Sequence, residues 1–361
     1  MSGACDILIV GTGAFAQRIA CDLAATARAP TRVLIAGRNL LRLAWISTAA
    51  RARAHIFQRP VAIEALPLDL DKDDAVELLR CHKPSVVVQT ASLQTASVIA
   101  GASNAWTRLV AQGGLSATAV FQAVLTARVA RAVARASPAS RLVNCCFPDV
   151  VNGLVAAMGL PLTCGVGNIA ILAHAFASVL EGRQRPKLQM LCHYQNIQAW
   201  RLPPERRAGS APRVWLESEE VADPMSRFAA VQLTPEPVID VSGASAVPLL
   251  LALAHRRPWT GHAPGPLGLP GGYPVRVRRG ELGLDLPAGM NREAAIAFNL
   301  RHEQENGLVV ENGGFARYTG RLNEALRAQS PDLAGGFEVS ALEEVWPAMA
   351  ALRTRLLAQP A

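Results

Sequence analysis

The apolar run Ile7 to Val10 leads directly into Gly11-Thr12-Gly13-Ala14-Phe15-Ala16, and this junction constrains the fold more than any other stretch of the chain. A strand, a glycine turn and a helix start form the arrangement in which Gly11 makes the tight turn. Gly13 lets the backbone approach a pyrophosphate, and Ala16 allows close packing of helix on strand. The unpaired N–H groups and the positive end of the helix dipole then face the anion. The junction predicts a nucleotide site, with a purely structural turn as the alternative.

The next 130 residues repeat the pattern. Strand-like runs at 6–10, 32–37, 62–69, 85–90 and 141–146 are separated by helical segments. Short continuous apolar runs between amphipathic helices are what a parallel sheet covered on both faces requires. We therefore expect an α/β fold, a doubly wound parallel Rossmann sheet over residues 1–150. A second α/β (α+β) domain over 151–361 would carry substrate. There the sequence predicts a strand at 187–194, a helix at 244–255, a strand-like run in VRVRRGELGLDL, a helix at 291–305, a hairpin-like pair at 308–319 and two closing helices. The Pro- and Gly-rich stretches 201–213 and 262–274 read as loops.

Composition excludes several classes. Half of the 361 residues are hydrophobic and 18% are charged, the balance of a globular enzyme. The net charge of +8 comes from scattered arginines, with lysine only at 72, 83 and 187, so no nucleic-acid partner is expected. No run approaches the roughly 18 uncharged apolar residues of a membrane span. The N-terminus lacks a basic segment before its apolar run, which suggests a cytoplasmic protein. The seven cysteines form no CxxC pair and no zinc-type spacing, so we expect reduced thiols and no metal. No GxSxG elbow, Walker loop or HExxH motif occurs.

The end of the second strand bears on the cofactor. A carboxylate there would accept the ribose 2′-OH of NAD, but the residues are Ala36-Gly37-Arg38-Asn39. Arg38 can pair with a 2′-phosphate, which favours NADP, with NAD as the alternative; a plain surface arginine at a helix start is the competing reading. Asp69, closing the third strand, could meet the adenine or cap a helix. Thr90, Ala91 and Ser92, after the fourth strand, complete the expected cofactor contacts.

The middle of the chain, RLVNCCFPDVVNGLVAAMGLPLTCGVGN, resembles the lactate/malate dehydrogenase pattern of a strand ending in Asn, a Pro-x-Asp-type turn and a helix leading to a Gly-x-Gly strand. GASAVPLLLALAH, GLPGGYPVRV and LDLPAGMNREAAIAFN resemble the C-terminal segments of that superfamily of NAD(P)-binding oxidoreductases. The resemblance implies a dehydrogenase or reductase, a small-molecule substrate and a homodimer. It makes Asn144 the residue that contacts nicotinamide and substrate; a side chain capping the next turn is the alternative. Asn152 is a helix cap or part of the site wall. His193 becomes the proton-transferring histidine, or else a structural one. Arg108 matches the loop arginine that polarises a carbonyl, or is a helix-surface charge. His174 is either a substrate contact or a buried helix residue. Ser242 and Ser245 match a helix that faces substrate, or allow close helix packing, and His262, Tyr273 and Trp200 could line a pocket.

The family's histidine-orienting aspartate and substrate-gripping arginine should fall shortly after Gly167, where this chain has Ile171 and His174. The expected reaction is hydride transfer between NADP(H) and a small carbonyl or hydroxy compound, with His193 as acid/base. Two alternatives remain: an imine or opine-type reductase joining an amine to an oxo acid, and a catalytically silent NADP-binding regulator or scaffold.

Overall fold

The computed structural model describes residues 5–73, 75–95, 98, 103–180, 186–233 and 239–360. The expected strands form one six-stranded parallel sheet: β1 (Ile7–Val10), β2 (Thr31–Gly37), β3 (Val61–Pro67), β4 (Val86–Gln89), β5 (Arg141–Asn144) and β6 (Cys164–Gly165), in the order β3-β2-β1-β4-β5-β6. This is the Rossmann order, and its reversal between β1 and β4 opens a crevice at the C-terminal ends of those strands. β6 extends the sheet beyond residue 150.

The sheet is apolar on both faces because both are covered. Ile7, Ile9, Val33, Ile35, Val86, Val88 and Val143 pack under α1 (Ala14–Thr26) and α2 (Leu40–Ile56). Leu8, Val10, Leu34, Val87 and Leu142 alternate onto the other face, under α3 (Val76–His82) and part of the helix that follows α4 (Ala105–Gly113), namely α5 (Ala119–Ala136). With the turn before it, α5 is long and apolar enough to cross a membrane, yet 83% of its most apolar window is buried in the fold.

Beyond β5 come α6 (Val150–Ala157), α7 (Ile169–Ser178), β7 (Leu188–Leu191), α8 (Tyr194–Ile197), β8 (Arg213–Leu216), β9 (Glu219–Glu220), α9 (Pro224–Arg227) and α10 (Ile239–Ala254). They are followed by β10 (Trp259–Pro264), β11 (Gly272–Arg278), β12 (Glu281–Leu284), α11 (Arg292–Glu305), β13 (Leu308–Val310) and β14 (Phe315–Tyr318). The chain closes with α12 (Gly320–Gln329), α13 (Pro331–Ala334), β15 (Phe337–Glu338) and α14 (Leu342–Leu357). The strands pair in three small antiparallel sheets, β7-β8-β9, β10-β11-β12 and β13-β14-β15.

Two contacts tie these pieces to the Rossmann sheet. α10 packs its apolar face into the core shared with α1, while α12 and α14 share a core with α4 and α5. A single antiparallel bridge, Cys192 to Gly272, joins the end of β7 to the start of β11 and sets where the next residue, His193, emerges.

Candidate active site

The glycine turn has the geometry its sequence demands. Gly11 has φ +124°, and a Cβ there would sit 2.2 Å from Thr90 Oγ1, which itself donates to the Val10 carbonyl at 2.8 Å. Any side chain would force β1 and β4 apart. A Cβ at Gly13, by contrast, meets nothing within 4 Å. Gly13 caps α1, no side chain covers the cap, and the first turn holds no acid, so its N–H groups are open to an anion. Thr12, Ala14 and Phe15 line this partly exposed turn, while Ala16 is buried.

The neighbouring segment is organised by arginines. A Cβ on Gly37 would press on Thr12 Cγ2 at 2.7 Å, so β2 runs hard against the turn. Arg38 is exposed and pairs with Asp71 at 3.0 Å, and Asp71 also takes Arg128 at 2.7 Å. Asn39 caps α2 by accepting from the Arg42 amide at 3.0 Å. Asp69 does not cap a helix here; its carboxylate accepts from the Asp71 amide at 3.2 Å and braces the loop that holds Arg38's partner. Ser92 donates to the Gln94 carbonyl at 2.8 Å, and the Ala91 carbonyl accepts from Gln89 Nε2 at 2.8 Å and Cys146 Sγ at 3.3 Å. Most of the loop from Thr95 to Ser103 lies outside the described residues.

The loop after β5 lies beside that edge. Asn144 is buried, and its amide is fully engaged: Nδ2 donates to the Cys146 carbonyl and Asn152 Oδ1, while Oδ1 accepts from the Cys146 amide at 2.9 Å and Thr126 at 3.3 Å. Its side chain therefore shapes the loop from within. Five residues on, Asp149 is 4% exposed. Its carboxylate leaves α6 uncapped and instead accepts from Asn168 Nδ2, the residue that starts α7 with φ +40°. Asp149 Oδ2 has no partner among the described residues. Burial pushes this carboxyl up to about 6; His193 and the Asn168 bond pull against that rise, and the Glu303 charge adds to it.

His193 and Glu303 form the centre of the cluster, 0% and 2% exposed. His193 Nε2 lies 2.8 Å from Glu303 Oε1. Its Nδ1 accepts from the Gln195 amide at 3.3 Å and caps α8, so Nε2 carries the hydrogen that faces the carboxylate. Glu303 Oε2 accepts from the Leu308 amide at 3.0 Å and lies 3.5 Å from Ser116 Oγ, itself 3.2 Å from Tyr194 OH. His302 stacks on His193 with ring centres 4.9 Å apart and planes 9° from parallel. Burial and the neighbouring His193 push His302 down to about 4.

The expected site residues divide. Asn144 ends β5 and His193 follows β7 against Glu303, whereas Arg108 is exposed on α4 and His174 is exposed on α7, with no bond to that pair among the described residues. Trp200 is a core residue packed edge-on to Phe176. Tyr273 is buried in the core that covers the sheet, and burial drives half-buried His262 on β10 down to about 3. Ser242 is buried, and Ser245 donates to its carbonyl. Ile171 is buried. The carboxylate on His193 thus comes from Glu303, about 130 residues beyond where the resemblance sought an aspartate. Asn299, His302 and Glu303 are all buried on α11, a helix so rich in charge that its sequence does not mark which polar residues turn inward. Asp149 was visible in the Pro-x-Asp-type turn but was assigned no role.

No protein-family model matches this sequence, and no curated protein sequence matches it. Solved structures do. Malate dehydrogenase from Picrophilus torridus aligns with TM-score 0.54 and 11% identity, over 82% of this chain and 94% of that one. Malate dehydrogenase from Salinibacter ruber gives 0.52 and 12% over the same shares. Lactate dehydrogenase from Eimeria maxima, with NADH and oxamate, gives 0.51 and 12% over 83% and 93%. The likeness over most of both chains shows that this protein shares the fold of these malate and lactate dehydrogenases.

Proposed function

We propose that this chain is a nicotinamide-dinucleotide oxidoreductase that moves a hydride between NADP(H) and the carbonyl carbon of a small oxo or hydroxy compound. One observation carries the reading: the anion-ready glycine turn and the buried Asp149–His193–Glu303 cluster adjoin the same C-terminal edge of the sheet, where open α/β sheets bind ligands. The residues at the turn suit a dinucleotide, because the uncapped α1 terminus can meet its pyrophosphate and the space beside Gly13, which has no Cβ, is open to its approach. Once bound, the nicotinamide ring supplies the hydride donor or acceptor. The Plasmodium falciparum malate dehydrogenase that aligns with TM-score 0.51 and 9% identity carries NADH, which supports this cofactor class.

Arg38 and the absence of an acid at the end of β2 favour the 2′-phosphate of NADP. Glu303 orients His193, and the alkoxide that this chemistry develops takes its proton from a titratable group of the cluster. The buried Ile171 and exposed His174 offer no bidentate clamp for a carboxylate, so the substrate is read as a carbonyl compound and not specifically as a 2-hydroxy acid.

A second reading is favoured by one feature. Both His193 nitrogens are occupied, as expected of a silent dinucleotide-binding regulator. One experiment separates the two: NADPH and NADH consumption measured with a panel of small aldehydes, ketones and 2-oxo acids, for the wild type and His193→Ala. Turnover with NADPH preferred, reduced at least about 100-fold in the variant, supports the enzyme. Tight cofactor binding without turnover supports the regulator, and turnover within about tenfold of wild type in His193→Ala removes His193 as acid/base.

A further inference from the structure

We infer that Asp149 is the group that touches the reacting oxygen and exchanges its proton, held by Asn168 at the start of α7. This rests on the oxidoreductase reading above and assigns the proton step within it.

Three observations converge on Asp149. Within the Asp149–His193–Glu303 cluster, Oδ2 of Asp149 is the carboxylate or imidazole atom that lacks a partner among the described residues. Both nitrogens of His193 are engaged, by the Glu303 carboxylate and the Gln195 amide. Asp149 follows β5 and so lies at the C-terminal edge of the parallel sheet, the edge at which the glycine turn follows β1, and Cys146 of the same loop donates to the Ala91 carbonyl beyond β4; His193 follows β7 of a separate sheet. A carboxyl so placed donates to a carbonyl oxygen when protonated and accepts from an alcohol when ionised, the two halves of a reversible reaction.

The step balances as follows. In reduction, the hydride leaves reduced nicotinamide dinucleotide and bonds to the carbonyl carbon. The C=O π pair moves to oxygen, which takes the proton as the Asp149 O–H bond breaks. An alcohol, oxidised cofactor and the Asp149 carboxylate result, and solvent reprotonates the carboxylate. The groups that face it are His193, Cys192 and Tyr194 from the β7–α8 turn, Glu303 from α11 and Asn168 from α7. Burial keeps the carboxyl protonated up to about pH 6, so reduction is fast below that pH and falls above it, whereas oxidation shows the opposite limb.

The test compares wild type, Asp149→Asn, Asp149→Glu and His193→Gln in pH profiles of kcat/KM, using the panel compound that turns over. The protonated-carboxyl infrared band is titrated in the same proteins. The inference expects a wild-type reduction rate that drops tenfold per pH unit above about pH 6. Asp149→Asn should be at least about 100-fold slower and lack that limb, Asp149→Glu should be slower but keep it, and His193→Gln should keep it. The carboxyl band should titrate near pH 6 in wild type and vanish in Asp149→Asn. An Asp149→Asn enzyme within about tenfold of wild type, or a limb that disappears only in His193→Gln, overturns the inference while leaving the oxidoreductase reading intact. If Asp149→Asn does not fold, the Asp149→Glu profile decides: loss of its limb overturns the inference. Wild type silent on the whole panel overturns the functional reading and this assignment with it.

Discussion

The two halves of the candidate site are built in opposite ways. The cofactor turn is local: six consecutive residues, an open helix end and backbone donors at the surface. The His193–Glu303 cluster is assembled from residues 110 positions apart, and the pair is buried to within 2% of full enclosure. The first region offers backbone geometry that a ligand phosphate could find. The second depends on side chains that satisfy one another away from water, where a lost partner is expensive. Substitutions in the two regions should therefore show different balances between stability and binding.

The largest effect should come from Glu303→Ala. It strips the partner from His193 Nε2 and from the Leu308 amide, so chemical denaturation should show a loss of about 3–5 kcal/mol with cofactor affinity in the surviving folded protein nearly unchanged. A loss under about 1 kcal/mol would erase the contrast. Asp149→Asn should act in the other direction. A carboxyl raised in the folded state stabilises the fold most fully below its unfolded value, and that contribution is lost as pH rises through about 6. The wild type should lose about 2–3 kcal/mol between pH 4 and 7 from this group, and the variant should lack that slope in unfolding measurements.

At the turn the balance reverses. Gly11→Ala strains a position at φ +124° and pushes on Thr90, for roughly 1–3 kcal/mol of stability, and should abolish NADPH binding in a fluorescence titration. Arg38→Ala should leave melting unchanged while narrowing the preference for NADP over NAD by about 10- to 100-fold in Kd. An unaltered preference would move the 2′-phosphate to another residue. The smallest effect belongs to Arg18→Ala, which removes a surface ion pair to Asp240 between α1 and α10; below about 1 kcal/mol is expected, with binding intact.

The pattern of what was readable follows the same division. Each expected Rossmann strand lies within two residues of its predicted start, because a parallel strand covered on both faces must be a short unbroken apolar run. Helix α11 and the β13–β14 hairpin were equally legible, since periodicity and Gly-rich turns are local signals, while the strand-like run VRVRRGELGLDL divides into the paired strands β11 and β12. The boundary at residue 150 was drawn short of β6, whose two paired residues, Cys164 and Gly165, are too few to show periodicity. Helix α10 starts at Ile239, earlier than the expected 244. His193 was found by its position after a strand, but Glu303 sits in a helix whose outer face is highly charged, where one more acidic residue carries no sign of burial.

By itself the sequence determined the glycine turn, the doubly wound sheet and the absence of an acid at the end of β2, because these depend on residues close together in the chain. Only the tertiary structure decided that Glu303 serves His193, that Asn144 turns inward, and that one Asp149 carboxylate oxygen has no partner among the described residues. Those facts depend on how α11, β7 and the β5 loop converge, and side-chain pairing across such distances leaves no periodic trace in the chain.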